Sequence, residues 1–426
     1  MNLTEAQAYL KLASARGARL GLARVNELVH RLGDPQNMLH VVHIAGTNGK
    51  GSVGAMLAAI LHAAGIRTGH FASPALCSVN DYFRLNGAPV SDEALAEILT
   101  DIRQEAEQMT DLPTEFEILA AAAYLLFARE HCGIAVVECC MGGDTDCTNV
   151  ITSPVLSIIT NIRKDHCAFL GDSIAEIAAH KAGIIKPHCP ALVGCRNPEA
   201  LRVIDAYAEK MHAPLTHRAK IVTDAAYSLT GTVMETVGFG TLHLPLLGLY
   251  QPENAGLVLQ AVSILRECGI PIPDAAVQDG LSACKWHGRF EMLQQSPVIL
   301  FDGAHNPDGM RKTTDSLAHY FGRQKDLVFV IGVMADKEYQ DYPALLKPLA
   351  AQIYTVTPEN PRALAAQSLC SLFADAGIPA SACGSVQDAV ARACSHGQPV
   401  IGLGSLYLYP AFAKAVTALS GSAETI

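Results

Sequence analysis

The chain is short of positive charge. Its 426 residues carry 31 Lys and Arg against 41 Asp and Glu, a formal net charge of -10. Proteins that wrap DNA or RNA present a basic stripe to the phosphates, so this balance argues against a nucleic-acid partner. Long apolar runs are lacking too. No uncharged stretch reaches the roughly 18 residues of a membrane span, and the opening "MNLTEAQAYLKLASARG" has no apolar core of the secretory kind. The 13 cysteines contain no C-x-x-C pair, which removes the zinc ribbon and the small disulfide framework. Their closest grouping, Cys132, Cys139, Cys140 and Cys147, reads as reduced thiols acting as small apolar residues. Internal repeats, low-complexity linkers and a serine-hydrolase elbow are missing as well. Half of the residues are hydrophobic and 17% are charged, so there is ample material for buried cores. What remains is a soluble, cytoplasmic protein of two or three domains by length, with small-molecule partners and no membrane.

What the sequence does have is alternation. "HVVHIAG" (40–46) is a short buried strand ending in glycine, and "GSVGAMLAAILHAAG" continues at helical spacing to Gly65. "GIAVVECC" (133–140) and "PVLSIITNI" (154–162) are two more β-branched runs bounded by turn residues. "SIAEIAAHKAGIIK" (173–186) is helical, with Asp172 or Ser173 as its N-cap. This pattern predicts an α/β fold with a parallel sheet covered on both faces. Around 225–247 polar and apolar residues alternate with glycine breaks, which predicts antiparallel ribbons appended to the first domain. After "CKWHGRFE" (284–291) a second α/β run begins, with strands "PVILFD", "DLVFVIGV", "QIYTVTP" and "PVIGLGS". The expected domains are 1–290 and 291–426, close together with a cleft between them.

"HIAGTNGKGSV" (43–53) joins the first strand to the first apolar helix. A phosphate loop must follow a strand and open a helix, so that backbone N–H groups and the helix dipole face the anion. This stretch meets both conditions. The common spelling places a hydroxyl directly after the lysine, whereas Gly51 here separates Lys50 from Ser52. Gly46, Gly49 and Gly51 permit close backbone approach and positive φ. Lys50 offers a cation to the terminal phosphates, and Ser52 or Thr47 a hydroxyl near Mg²⁺. Glu138 ends an otherwise apolar strand, where a carboxylate suits the magnesium carried by a nucleotide. Asp165-His166 follows the next strand, at the edge where open α/β sheets bind ligands.

"GTNGKGS" resembles the loop of the folylpolyglutamate synthase and dihydrofolate synthase family, within the Mur ligase superfamily. Similar segments follow in the same order over nearly the whole chain. They are "SPAL" at Ser73, "TEFEILAAAAY" at Thr114, "ECCMGGDTDCTN" at Glu138 and "KDHCAFLGDSIAEIAAHKAGIIK" at Lys164. Then come "LYQPENA" at Leu249, "HGRFE" at His287, "DGAHNP" at Asp302, "GVMADKEY" at Gly332, "TPENPRAL" at Thr357 and "GSLYL" at Gly404. The resemblance implies a phosphate-loop, Mur-ligase-like ATPase domain on a parallel central sheet. It also implies a smaller Rossmann-like C-terminal α/β domain that ligates glutamate. ATP would be held by Thr47, Asn48, Gly49, Lys50, Gly51 and Ser52, with Asn254, Arg289 and Asp302 from across the cleft. Ser73, Glu138 and His166 would be magnesium ligands, and a carbamate on Lys181 would help hold a second Mg²⁺. Lys50, His166 and Lys181 would stand at the chemistry. Pterin-side contacts map to Thr114, Glu115, Phe116 and Glu117 and to Thr145, Asp146 and Cys147. Phe116 either stacks on a flat ring or belongs to the core. His305 would serve the phosphate or the glutamate.

The implied reaction makes an inert carboxylate reactive. ATP converts it to an acyl phosphate, the α-amino group of L-glutamate attacks, and phosphate departs, a path that rests on positioning and charge neutralisation. The donor would be dihydropteroate or the γ-carboxylate of a reduced folate, and the enzyme a monomer. Four positions depart from the family pattern: Ala75 for a histidine, Asp81-Tyr82 for an acidic-basic pair, Asp144-Thr145 for Arg-Leu, and His180 for a glutamate. These bear on the carboxylate substrate more than on ATP. Two alternatives therefore stand beside the folate ligase: a related ligase with another carboxylate, and a non-catalytic nucleotide-binding paralogue.

Overall fold

The computed structural model describes residues 1–423. The chain forms two compact units. The first comprises Met1–Asp224, Met234–His243 and Glu253–Cys284; the second comprises Ala225–Val233, Leu244–Pro252 and the chain from Lys285 onward.

The first unit is built on eight strands: β1 (Val41–Ala45), β2 (Thr68–Phe71), β3 (Phe83–Leu85), β4 (Ala88–Pro89), β5 (Ile134–Glu138), β6 (Leu156–Ile159), β7 (Ala191–Val193) and β8 (Leu215–His217). They lie in the order β4-β3-β2-β5-β1-β6-β7-β8. From β2 to β8 every pairing is parallel, and β3 and β4 add an antiparallel edge. Strands β1, β5 and β6 are buried along their whole length. Both faces are covered, which is why they read as continuous apolar runs. The helix Lys50–Ala63 is apolar nearly all round because it is enclosed: Ser52, Met56, Leu57, Ile60 and Leu61 are all buried. The helix Glu115–Arg129 fills the core on Tyr124 and Phe127, against Phe71 and Phe83 of the sheet. Of the two expected caps for the helix Ile174–Ala182, Ser173 is the one, in a capping box with Glu176.

The expected ribbons are β9 (Val222–Ser228), β10 (Gly231–Thr236) and β11 (Gly240–Leu244), in the order β11-β10-β9. They are not a plain appendage to the first unit, because their residues are divided between the two units. Thr232 and Met234 of β10 are fully buried.

The second unit holds β12 (Glu291–Gln295), β13 (Val298–Asp302), β14 (Leu327–Ile331), β15 (Ala350–Thr355), β16 (Ala380–Ala382) and β17 (Val400–Leu403). Their order is β12-β13-β17-β14-β15-β16. All neighbours are parallel except β12 and β13. The four expected strands are β13, β14, β15 and β17. Phe329, Leu317, Tyr342 and Phe373 pack between the sheet and its helices. Among the described residues no helix is long and apolar enough to cross a membrane.

Candidate active site

Strand β1 runs out at Ala45 and the next helix begins at Lys50, so the chain has four residues in which to turn. Gly49 caps that helix at φ 88°, in the left-handed region, and a Cβ there would fall 2.9 Å from Asn254 Oδ1. A Cβ on Gly46 would fall 1.9 Å from the Thr160 hydroxyl. Only glycine fits either place. The segment after β6 braces the turn. Thr160 donates its hydroxyl to the Asn48 carbonyl at 2.7 Å, and Asn48 N–H donates to Asn161 Oδ1 at 2.7 Å. Thr47 donates its hydroxyl to the Arg163 carbonyl at 3.0 Å and accepts from Arg163 N–H at 3.1 Å, so that hydroxyl holds the loop. Lys50 Nζ donates to the carbonyls of Gly46 (3.1 Å) and Thr47 (3.4 Å) and stands 3.7 Å from Glu138 Oε1. Gly49 at the N-cap has no side chain to offer the first turn, in which Ser52 is buried. A helix N-terminus presents N–H groups and the positive end of its dipole to an anion.

Neighbouring strands deliver the other expected groups to the same edge. Glu138 ends β5, beside β1, and is 3% exposed. Ser73 follows β2 and hydrogen-bonds the Cys140 thiol. His166 follows β6 and opens a short helix at φ 54°, a conformation histidine adopts more readily than most residues. Lys181 sits in the last turn of the helix Ile174–Ala182 and is 5% exposed. Its ammonium is pushed down to about 7, first by burial and then by the like charge of Lys50, while Asp165 and Asp146 pull the other way. Strands β2, β5, β1 and β6 thus carry Ser73, Glu138, the loop and His166 at their C-terminal ends. The order of connections reverses about β1, the place where such sheets bind ligands. Among the described residues no three His, Cys, Asp or Glu side chains stand together as a ready-made metal shell. Magnesium asks for less, keeping several waters and taking one or two carboxylates with phosphate oxygens. A buried carboxylate, a hydroxyl and an imidazole fit that demand.

The expected pterin-side residues are largely occupied with holding structure. Thr114 and Glu117 form a capping box: Thr114 N–H and its hydroxyl donate to Glu117 Oε2 at 2.7 and 2.9 Å. The Thr-x-x-Glu spelling ahead of an apolar run was the sequence signal for it. Glu117 also pairs with Arg24 at 2.9 Å, a buried partner that no motif indicated. Burial raises the carboxyl of Glu115. Phe116 is half-buried, with its ring centre 5.8 Å from Phe71 and 6.3 Å from Tyr82, so it closes one edge of the core. The Cys147 thiol donates to the Phe116 carbonyl at 3.5 Å, which brings the two expected segments together. Asp146 accepts from Met141 N–H (2.7 Å), Thr148 N–H (3.0 Å) and the Thr148 hydroxyl (2.6 Å), and burial raises its carboxyl. Thr145 is half-buried in the same loop.

In the second unit, Asp302 ends β13 and is buried. Its Oδ2 accepts from the Tyr250 hydroxyl (2.9 Å) and Phe290 N–H (2.8 Å). Its Oδ1 accepts from Ala304 N–H (2.8 Å) and the Thr313 hydroxyl (2.9 Å). Four protein donors match the four lone-pair sites of a carboxylate, so Asp302 is a strut that fixes the turn bearing Arg289. The half-buried Arg289 lies over Gly303, whose absent Cβ would fall 2.7 Å from its NH1. His305 Nδ1 hydrogen-bonds the Gly303 carbonyl at 2.8 Å, just ahead of the helix Pro307–Phe321.

A glycine-rich loop on the central strand of a parallel sheet, its lysine drawn to a buried glutamate, marks a nucleotide-handling α/β enzyme. Residues 44–262 match the Mur ligase middle domain, and residues 288–405 match the Mur ligase glutamate ligase domain. The protein is therefore a Mur-type, ATP-dependent ligase. It is 35% identical over 365 residues to the dihydrofolate synthase/folylpolyglutamate synthase of Bacillus subtilis, covering 83% of this chain and 84% of that one. It is 32% identical to the folylpolyglutamate synthase of Lacticaseibacillus casei, covering 96% and 97%. Its fold superposes on Mycobacterium tuberculosis folylpolyglutamate synthase complexed with ADP and AMPPCP with a TM-score of 0.88 at 30% identity, covering 99% of each chain. The chain belongs to the folylpolyglutamate synthase and dihydrofolate synthase family.

Proposed function

We propose that this ligase joins the α-amino group of L-glutamate to the carboxylate of dihydropteroate or of a reduced folate, through an acyl phosphate, as a monomer. The contact that carries the reading is Lys50 set between two loop carbonyls and Glu138. The loop N–H groups and Lys50 hold the triphosphate, and Glu138, Ser73 and His166 take magnesium. Bound magnesium supplies positive charge to the transferring phosphoryl oxygens. Lys181 supports a carbamate: with its ammonium pushed down to about 7, about half of the amine is neutral at pH 7, and only the neutral form adds carbon dioxide. Arg289 is a further cation for the phosphates, and His305 serves the glutamate. The half-buried face of Phe116 and the loop at Thr145 serve the pterin.

The test is phosphate release with ATP, Mg²⁺, L-glutamate and either dihydropteroate or a reduced folate. Release that requires both organic substrates is the expected result. Release only with a different carboxylate would make the protein a related ligase, and tight ATP binding without turnover a non-catalytic paralogue.

A further inference from the structure

Two of the positions that depart from the family pattern meet in space. Asp144 lies in the loop after β5 and His180 in the helix Ile174–Ala182, 36 residues apart in sequence. His180 Nδ1 stands 2.8 Å from Asp144 Oδ1. A carboxylate can only accept, so Nδ1 carries the proton and donates. The main chains are joined at the same place, Asp144 N–H donating to the His180 carbonyl at 2.8 Å. Asn149 Nδ2 ties the joint from a third side, donating to the carbonyls of Asp144 (3.1 Å) and Gly183 (3.2 Å). The backbones are in such close approach that a Cβ on Gly143 would fall 2.6 Å from the His180 carbonyl oxygen. One on Gly183 would fall 2.3 Å from Asp144 Cβ. Lys181, the next residue along the helix, is the buried amine.

We propose that Asp144 and His180 are a positioning pair, which locks the end of the helix against the β5 loop and so sets where the Lys181 amine stands. The inference rests on the proposed role of Lys181. The main-chain joint fixes distance, but two strands of backbone touching at a glycine can still roll. The side-chain bond, 41% exposed on the carboxylate and 30% on the imidazole, resists that rotation. Half-exposed ion pairs contribute little to stability, from near 0 to about 1 kcal/mol. Small misplacement of a reacting group costs rate far more than it costs stability, so the pair should show in turnover before it shows in melting.

The experiment compares His180→Ala, Asp144→Ala, the double alanine variant, His180→Asn and the exchange Asp144→His with His180→Asp. Lys181→Ala is the control. Four quantities are read: kcat, KM for ATP, the melting temperature, and acetylation of Lys181 by acetic anhydride, followed by peptide mass spectrometry in the absence of substrates. Each single alanine variant is expected to lower kcat about 5- to 10-fold with KM for ATP within about two-fold, and to raise Lys181 acetylation about three-fold or more. The double variant should be no worse than the worse single one, since both remove one bond. His180→Asn, whose amide can donate from the place of Nδ1, and the exchange should each recover at least half of the loss. Single variants indistinguishable from the parent in both kcat and acetylation overturn the pair, as do additive losses or losses matched by a fall in melting temperature. If Lys181→Ala itself retains full activity, the fault lies in the reading of Lys181, not in the pair.

Discussion

Replacing Lys50 with methionine keeps most of the stem and removes the charge. In the folded protein Nζ satisfies two loop carbonyls and stands 3.7 Å from Glu138 Oε1, with both side chains mostly buried. At an effective dielectric near 20, that separation gives a gross attraction of about 4 kcal/mol. Most of it is offset by the desolvation of both ions, so the expected loss of folding stability is only about 1–2 kcal/mol. The transition state suffers more. Preorganised charge aimed at a transferring phosphoryl group is worth about 10²–10³ in kcat when one donor is removed. The expected outcome is a drop of at least about 100-fold in phosphate release with ATP, Mg²⁺, L-glutamate and folate, and a melting transition that stays cooperative. Urea unfolding measured beside the steady-state assay separates the two effects. A folded Lys50→Met protein that keeps more than about a tenth of the parent kcat would take the loop out of the mechanism.

Two further outcomes follow from buried groups. His43 and His70 are held neutral, each pushed from 6.5 to about 3, chiefly by burial. Between those values the unfolded chain binds protons that the folded one does not, so stability rises with pH through the window and is lost as pH falls below 6.5. Going from pH 7 to 5.5 should cost roughly 2–3 kcal/mol for the pair, and His70→Gln should remove about half of that slope in urea unfolding; an unchanged slope would contradict the assignment. Asp302→Ala would orphan the Tyr250 and Thr313 hydroxyls and two N–H groups. It should lower the unfolding free energy by about 3 kcal/mol or more, since each stranded group costs about 1–3. Asp302→Asn, which keeps one oxygen, should cost visibly less, and equal losses would refute the strut.

Strands β1, β5, β6, β13, β14 and β17 were legible because burial on both faces leaves mostly apolar runs, whereas β2 and β7, equally buried and parallel but only four and three residues long, were not identified. The edge strands were not. β12 is "EMLQQ" and β16 is "ASA", short and half-exposed, held by a neighbour's hydrogen bonds rather than by any pattern of their own. The loop Gly46–Ser52 was legible since its chemistry is local. Its braces were not: Thr160, Asn161 and Arg163 lie more than a hundred residues away and signal only that a strand has just ended. Thr114 and Glu117 show the opposite case, a capping box spelled out in four residues that the family likeness had assigned to substrate. The four donors to Asp302 come from residues 250, 290, 304 and 313, and only folding brings them to one carboxylate.

The order β2-β5-β1-β6 has a consequence for biogenesis. Residues adjacent in that row enter the nascent chain far apart, so a half-made sheet presents only fragments of the edge proposed to hold the triphosphate. A nucleotide held there would recognise finished molecules and ignore unfinished ones. By mass action it deepens the native well by about 2.7 kcal/mol at a hundredfold excess over its dissociation constant. Cellular ATP, on this view, acts as a quality inspector for the very catalyst that consumes it.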